Sequence, residues 1–203
     1  MCGHLKSQDT NSIKAILFDF MGVLLFPKEN RTPNKLVDEI DVIIGKVTDD
    51  KIFKKTTMEQ YDLSETQFHE ILSAAVDKYE RYEPLWAMLP ELRKSYKLAI
   101  INNGTALTLP ELKKRHAVDK HFDLFVSSAI EGVRKPDAEI FLRTAKRLKV
   151  KPDECLFMDD SLDNIEGAAK VEMKTVWWED RKSGTKGLLE FLKDSGLISD
   201  LRD

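Results

Sequence analysis

Residues 13–24 read Ile13-Lys14-Ala15-Ile16-Leu17-Phe18-Asp19-Phe20-Met21-Gly22-Val23-Leu24. The run Ile13–Phe18 is short, almost wholly apolar, and stops at a carboxylate. Strand side chains alternate between the two faces of a sheet. A run that is apolar on both faces is therefore expected to be buried on both, as in a parallel sheet covered by helices above and below. Two further runs repeat the pattern. Leu98–Ile101 ends at Asn102 and Asn103, and Leu156–Met158 ends at Asp159 and Asp160. Leu124–Val126, ending at Ser127 and Ser128, and Thr175–Trp178, ending at Glu179 and Asp180, are weaker copies.

Helical patterns lie between these runs. Pro84–Lys94 places Leu85, Met88, Leu89 and Leu92 at helical spacing, with Pro90 a point where the helix could kink. Pro136–Leu148 lines up Ile140, Phe141, Thr144, Ala145 and Leu148 on one face, with Pro136 in the first turn. Ser161–Lys170 opens on a capping serine, and Gly187–Lys193 carries Leu188, Leu189, Phe191 and Leu192. Strand and helix alternate, which predicts an α/β fold: a Rossmann-like three-layer core around a parallel sheet. Residues 28–83 break the alternation. They show no strand, hold amphipathic stretches at Leu36–Ile44 and Phe68–Tyr79, and carry more acidic than basic residues. They read as a helical cap inserted after the first strand, with residues 1–27 and 84–203 forming the core.

A chain of 203 residues fits one domain with such an insert. Its 42% hydrophobic and 33% charged residues exclude a disordered chain. Lys and Arg number 32 against 35 Asp and Glu, for a net charge of −3, so nucleic acid is not an expected partner. No apolar run approaches the roughly 20 residues of a membrane helix, and Met1–Asn11 is polar, with neither a signal core nor an anchor. Two distant cysteines, Cys2 and Cys155, do not make a disulfide framework. The expectation is a cytoplasmic protein with no membrane partner and Cys155 as a buried strand thiol. Oligomeric state is left open by these features.

Ligands of parallel α/β sheets bind outside the carboxyl ends of the strands. There the chain offers Asp19, Asn102, Asp159 and Asp160. Neighbouring carboxylates repel and persist together only with a cation or a proton between them. A hard divalent ion with oxygen ligands is the natural partner, and Mg²⁺ is the expected one.

These residues carry a family resemblance. Phe18-Asp19-Phe20-Met21-Gly22-Val23-Leu24 resembles the first motif of the haloacid dehalogenase-like hydrolase superfamily. Ile100-Ile101-Asn102-Asn103-Gly104 occupies the place of the second. The segment Gly132–Phe141, with Lys135-Pro136-Asp137, resembles the third, and the segment Leu156–Ala169, with Asp159-Asp160-Ser161, resembles the fourth. The closest likeness is to small capped phosphatases, including the phosphatase-like N-terminal domain of soluble epoxide hydrolases.

The resemblance implies a Mg²⁺-dependent phosphatase acting on a small phosphorylated metabolite. Asp19 would attack phosphorus and form an aspartyl-phosphate. Asp19, Asp160 and the main-chain oxygen of Met21 would hold the metal, with Asp159 behind them or reaching it through water. Lys135 would place positive charge on the phosphoryl oxygens. Asn102 would donate hydrogen bonds to them, joined by N–H groups near Asn103 and Gly104. Asp163 would orient Lys135 or lie on the exposed side of its helix.

Two positions depart from the family pattern. Met21 stands where an acid–base Asp is usual, and a thioether has no exchangeable proton. General acid–base catalysis is worth roughly 10²–10⁴-fold, so slow turnover is expected. Asn102 stands where Ser or Thr is usual, and an amide still donates. Met21 also keeps open a catalytically impaired relative that binds a phosphorylated ligand or a protein partner, and behind it a 2-haloacid dehalogenase. The remaining notable residues have plainer readings. His116 and His121 read as surface residues, His4 as part of a tail, and His69 as a weak candidate for a substitute acid. One of Trp177 and Trp178 is expected to face the core.

Overall fold

The computed structural model describes residues 13–194. The N-terminal stretch with Cys2 and His4, expected to be a polar tail, lies outside the described residues. The elements run β1 (Ala15–Phe18), β2 (Leu25–Pro27), α1 (Lys35–Ile44), α2 (Asp50–Tyr61), α3 (Glu65–Asp77), β3 (Tyr79–Arg81), α4 (Glu83–Leu92), β4 (Lys97–Asn102), α5 (Leu109–His116), α6 (Val118–His121), β5 (Leu124–Ser127), α7 (Ser128–Glu131), α8 (Ala138–Leu148), β6 (Cys155–Asp159), α9 (Leu162–Ala169), β7 (Lys174–Trp177) and α10 (Arg181–Asp194).

Five strands form one sheet in the order β5-β4-β1-β6-β7, and all its pairings are parallel. The alternation of β1 divides the interior as the sequence predicts. Ile16 and Phe18 point to one side, where Leu85, Trp86 and Leu89 of α4 and Leu188 and Phe191 of α10 cover them. Ala15 and Leu17 point to the other, against Ile140 and Phe141 of α8 and Ile165 of α9. All four β1 side chains are fully buried. Burying one large apolar side chain contributes about 1.5–3 kcal/mol, so these two layers hold the sheet. Cys155 is a buried thiol in β6, as expected, and burial pushes its pKa up to about 12.

The register sets the functional edge. Phe18 lies level with Ile100 of β4 and Met158 of β6. The next residues, Asp19 and Asp159, therefore emerge side by side, with Asn102 one step beyond on β4. Asp19 is anchored by its own N–H, which donates to the Met158 carbonyl at 2.8 Å.

Between β2 and β3 lie α1, α2 and α3, with their own apolar cluster of Ile40, Val47, Phe53, Phe68 and Leu72. The expectation that residues 28–83 hold no strand is corrected here. Tyr79–Arg81 pairs antiparallel with Leu25–Pro27, joining the two points where the chain leaves and re-enters the core. Both strands have only three residues, too few for alternation to show. Helix α2 also escaped sequence reading, because few of its residues are apolar. It is fixed by Asp49, whose carboxylate accepts the N–H groups of Lys51 and Ile52, and by burial of Phe53 and Thr57. Helix α3 opens on a Ser64–Gln67 capping box.

The reading of His116 as a surface residue is likewise corrected: it is 4% exposed, packed among Phe20 and Trp86. It closes α5, whose last turn is otherwise basic, and that context masked its burial. Trp178 is buried and Trp177 is 42% exposed, as the strand pattern required. Among the described residues, no helix is long and apolar enough to cross a membrane.

Candidate active site

Four loops at the carboxyl edge of the sheet bring the predicted residues together. Asp19 follows β1, Asn102 ends β4, Asp159 ends β6 with Asp160 next to it, and Lys135 sits between α7 and α8. Lys135 is 1% exposed despite its charge. Its ammonium donates to Asp19 Oδ1 at 2.6 Å and to Asp159 Oδ2 at 2.6 Å. A surface role for this lysine is thereby excluded. Burial weakens its charge, but the two carboxylates more than offset this, and the net shift of its pKa is upward.

The backbone of Lys135 is held as firmly as its head. Asn103 accepts the Lys135 N–H on Oδ1 at 2.9 Å and donates from Nδ2 to the Lys135 carbonyl at 3.0 Å. Its side chain therefore positions Lys135. Asp159 is fully engaged as well: Oδ2 faces Lys135, and Oδ1 accepts from the Ser161 N–H at 2.8 Å and from Asn164 Nδ2 at 3.0 Å. Asn164 lies in the fourth motif, but sequence reading gave it no role. Asp163, its neighbour, is exposed and so takes the second of its two expected places.

Asp19, Asp159 and Asp160 each offer an oxygen, and these oxygens lie within 4.8 Å of one another. Burial drives the Asp19 carboxyl up to about 7. Lys135 opposes that rise, and Asp159 and Asp160 reinforce it. Asp160 is raised too, by burial and by Asp159. With all three carboxyls ionised, three carboxylates and one ammonium carry a net charge of −2 in one small volume, and burial together with this excess raises Asp19 and Asp160 when no metal ion is bound. An all-oxygen donor set with that charge excess fits a hard divalent cation. Gly22 completes the enclosure. Its φ is +92°, and a Cβ there would lie 2.3 Å from Asp160 Oδ2, so only glycine allows the chain to pass so close to this carboxylate.

Gly104 is a correction. Its N–H donates to the buried Ser128 hydroxyl at 2.9 Å, so it is already spent within the fold. Its role is close packing, since a Cβ there would meet Asn102 Nδ2 at 2.6 Å. Thr105 is also structural; its hydroxyl donates to Asp50 of α2 and accepts from the Leu107 N–H. His69 is exposed and bonded to Glu65, away from these residues.

A cavity of about 190 Å³ opens above this cluster. Asp19, Met21, Asn102, Asn103, Lys135 and Asn164 line it from the core side. Helix α1, helix α3 and strand β3 supply much of the rest of the wall, including Tyr79, an aromatic of the insert that reads as cap core, and Asp41, which nothing in the sequence singled out; Thr108 and Leu112 complete it.

The sequence matches the description "haloacid dehalogenase-like hydrolase" across residues 13–172. The chain belongs to the haloacid dehalogenase-like hydrolase family. Among characterised relatives of this family member, a glyceraldehyde 3-phosphate phosphatase of Pyrococcus furiosus is 36% identical over 88 residues, covering 43% of this chain and 37% of the relative. An N-acylneuraminate-9-phosphatase of Rattus norvegicus is 31% identical over 103 residues, covering 50% of this chain and 42% of the relative. The chain thus spans less than half the length of these relatives.

Solved structures share the fold at low identity. A HAD-like family hydrolase from Porphyromonas gingivalis superimposes with a TM-score of 0.66 at 21% identity, over 87% of this chain and 98% of that one. A HAD-family enzyme of Bacteroides thetaiotaomicron, solved with magnesium and inorganic phosphate, gives 0.64 at 20% identity, over 81% and 93%.

Proposed function

We propose that this chain is a Mg²⁺-dependent phosphatase of small phosphorylated metabolites, working through an aspartyl-phosphate on Asp19. The observation that carries the reading is the buried Lys135 ammonium, 2.6 Å from both Asp19 and Asp159 at the strand tips. The two relatives named above are phosphatases of small phosphorylated metabolites by name, which supports the hydrolytic part of the reading.

Asp19 and Asp160 would hold the magnesium ion with their carboxylates, and Met21 with its main-chain oxygen. When bound, the ion screens the repulsion between an anionic nucleophile and an anionic phosphate. One Asp19 oxygen attacks phosphorus in line as the bond to the leaving oxygen breaks. Lys135 and the Asn102 amide donate to the phosphoryl oxygens, where charge builds up. Asp159 and Asn103 hold Lys135 at its post, and Asn164 orients Asp159. Water then attacks the acyl-phosphate, releasing phosphate and restoring Asp19. The leaving oxygen needs a proton that Met21 cannot give, so it draws one from solvent, and esters with good leaving groups turn over fastest. Residues 28–83 act as the cap that supplies the wall of the cavity opposite the strand tips. With Cys155 a buried free thiol, we place the protein in a reducing compartment, the cytoplasm.

The test is hydrolysis of p-nitrophenyl phosphate with and without Mg²⁺. The expected result is metal-dependent release of phosphate that is lost in Asp19→Asn. Met21 favours a second reading, a ligand-binding relative that does not turn over. A silent wild type that gains activity as Met21→Asp would establish that reading instead.

A further inference from the structure

The cavity above Asp19 has largely apolar walls, formed by Met21, Val42, Ile44, Ala75, Val76 and Leu112. Two polar side chains interrupt the part supplied by residues 28–83. Asp41 comes from α1 and Tyr79 from β3. The Tyr79 hydroxyl donates to Asp41 Oδ2 at 2.5 Å, and Lys78 Nζ donates to the same oxygen at 2.7 Å. Lys78 also reaches Asp38 at 3.0 Å, and Arg31 pairs with Asp38 at 2.8 Å. Two cations thus balance two carboxylates, and the group is neutral as a whole.

Asp41 Oδ1 accepts no hydrogen bond from the described residues, although the Asp41 side chain is only 15% exposed. An ionised oxygen beside an apolar wall gains from any donor brought to it. The Tyr79 hydroxyl stays protonated, because burial and Asp41 both raise its pKa, so it keeps pinning Oδ2 and leaves Oδ1 as the acceptor. Packing alone does not call for this arrangement, since apolar residues usually fill such a wall at no loss of stability.

We propose that Asp41, held by Tyr79 and Lys78, is a specificity residue that accepts a hydrogen bond from an uncharged hydroxyl on the leaving group. The preferred substrates are then phosphate monoesters of short alcohols that carry a hydroxyl beyond an apolar stretch. This rests on the phosphatase reading for the placement of the phosphate at Asp19. Charge narrows the class further. An ionised carboxylate or phosphate has no hydrogen to donate to Asp41 Oδ1, and an ammonium gains little where Lys78 already neutralises the carboxylate. Size narrows it too. A cavity of about 150 Å³ holds one benzene ring. About 190 Å³ therefore has room for a phosphoryl group with a short chain.

The test compares 3-hydroxypropylphosphonate with butylphosphonate, which has a methyl where the other has a hydroxyl. Neither can be hydrolysed. Binding to the full chain is measured by calorimetry in Mg²⁺. The wild type should bind the hydroxylated compound about 10–100-fold more tightly, the range of one charge-assisted hydrogen bond. Asp41→Ala should abolish the preference, and Tyr79→Phe should reduce it if the alanine variant does not fold. Equal affinities in the wild type, failure of both compounds to bind, or a preference that survives in Asp41→Ala would overturn the inference. Turnover of p-nitrophenyl phosphate is read separately. A preference without turnover overturns only the catalytic reading, and turnover without a preference overturns only this one.

Discussion

Replacing Lys135 with Met keeps a side chain of similar length and removes one charge. The lysine is 1% exposed, and its partners Asp19 and Asp159 have side chains 12% and 0% exposed. Both contacts are 2.6 Å. Removing one partner of a buried ion pair costs about 3–5 kcal/mol, because the remaining charge stays desolvated and unpaired. Here two carboxylates lose the same partner, so the upper part of that range is expected. Against a typical stability of about 5–15 kcal/mol the loss is large but survivable.

Its pH dependence has a definite sign. Without the ammonium, the Asp19 carboxyl, already raised by burial, loses the partner that opposes the rise and titrates still further above its unfolded value of about 3.9. The folded state then binds more protons than the unfolded one, so the variant recovers stability as pH falls. Urea unfolding in EDTA, at pH 8 and pH 5, measures both effects. A deficit of about 4–5 kcal/mol at pH 8 that shrinks at pH 5 is expected. A deficit under about 1 kcal/mol, or one that does not change with pH, would refute the view that Lys135 compensates buried charge.

Gly22→Ala forces a Cβ onto a backbone at φ +92° and against Asp160 Oδ2. It should cost about 1–3 kcal/mol of stability and weaken Mg²⁺ binding by about tenfold or more, read by chemical denaturation and metal titration. The buried His116 has a pKa lowered to about 4, chiefly by burial, and its Nε2 has no hydrogen-bond partner among the described residues. Its contribution is complete above the unfolded value of about 6.5, is lost as pH falls from there to about 4, and is level below. His116→Leu should therefore flatten that limb by about 3 kcal/mol in urea titrations. Cys155 is buried with its thiol pKa raised to about 12, so a Cys2→Ser chain should leave Ellman's reagent unreacted until it is unfolded.

The amino-acid order alone carried the parallel sheet and the residues at its tips. Runs such as Ile13–Phe18 and Leu156–Met158 are apolar on both faces, and only a doubly covered strand satisfies them. A parallel register then brings the residues that follow, Asp19 and Asp159, side by side whatever the loops do. Helix α8 was nearly as plain, because five buried residues recur at its period, but it starts at Ala138 with Asp137 as its N-cap, so Pro136 lies before the helix and not in its first turn. Periodicity could not reveal the three-residue strands β2 and β3 or the polar helix α2, whose order comes from partners elsewhere in the chain.

The same limit shaped the site. A loop glycine reads as a free N–H donor until Ser128, 24 residues away, is seen to occupy it. Asn103 reads as a place for a backbone N–H donor to phosphate until its side chain is seen to hold Lys135 between its two amide atoms. Asp41 and Tyr79 are unremarkable 38 residues apart, and meet only because α1 and β3 pack onto the same cavity. Burial on one element is written in its own residues. Which donor meets which acceptor is decided by what folding brings to the other side, and that is a property of the tertiary structure alone.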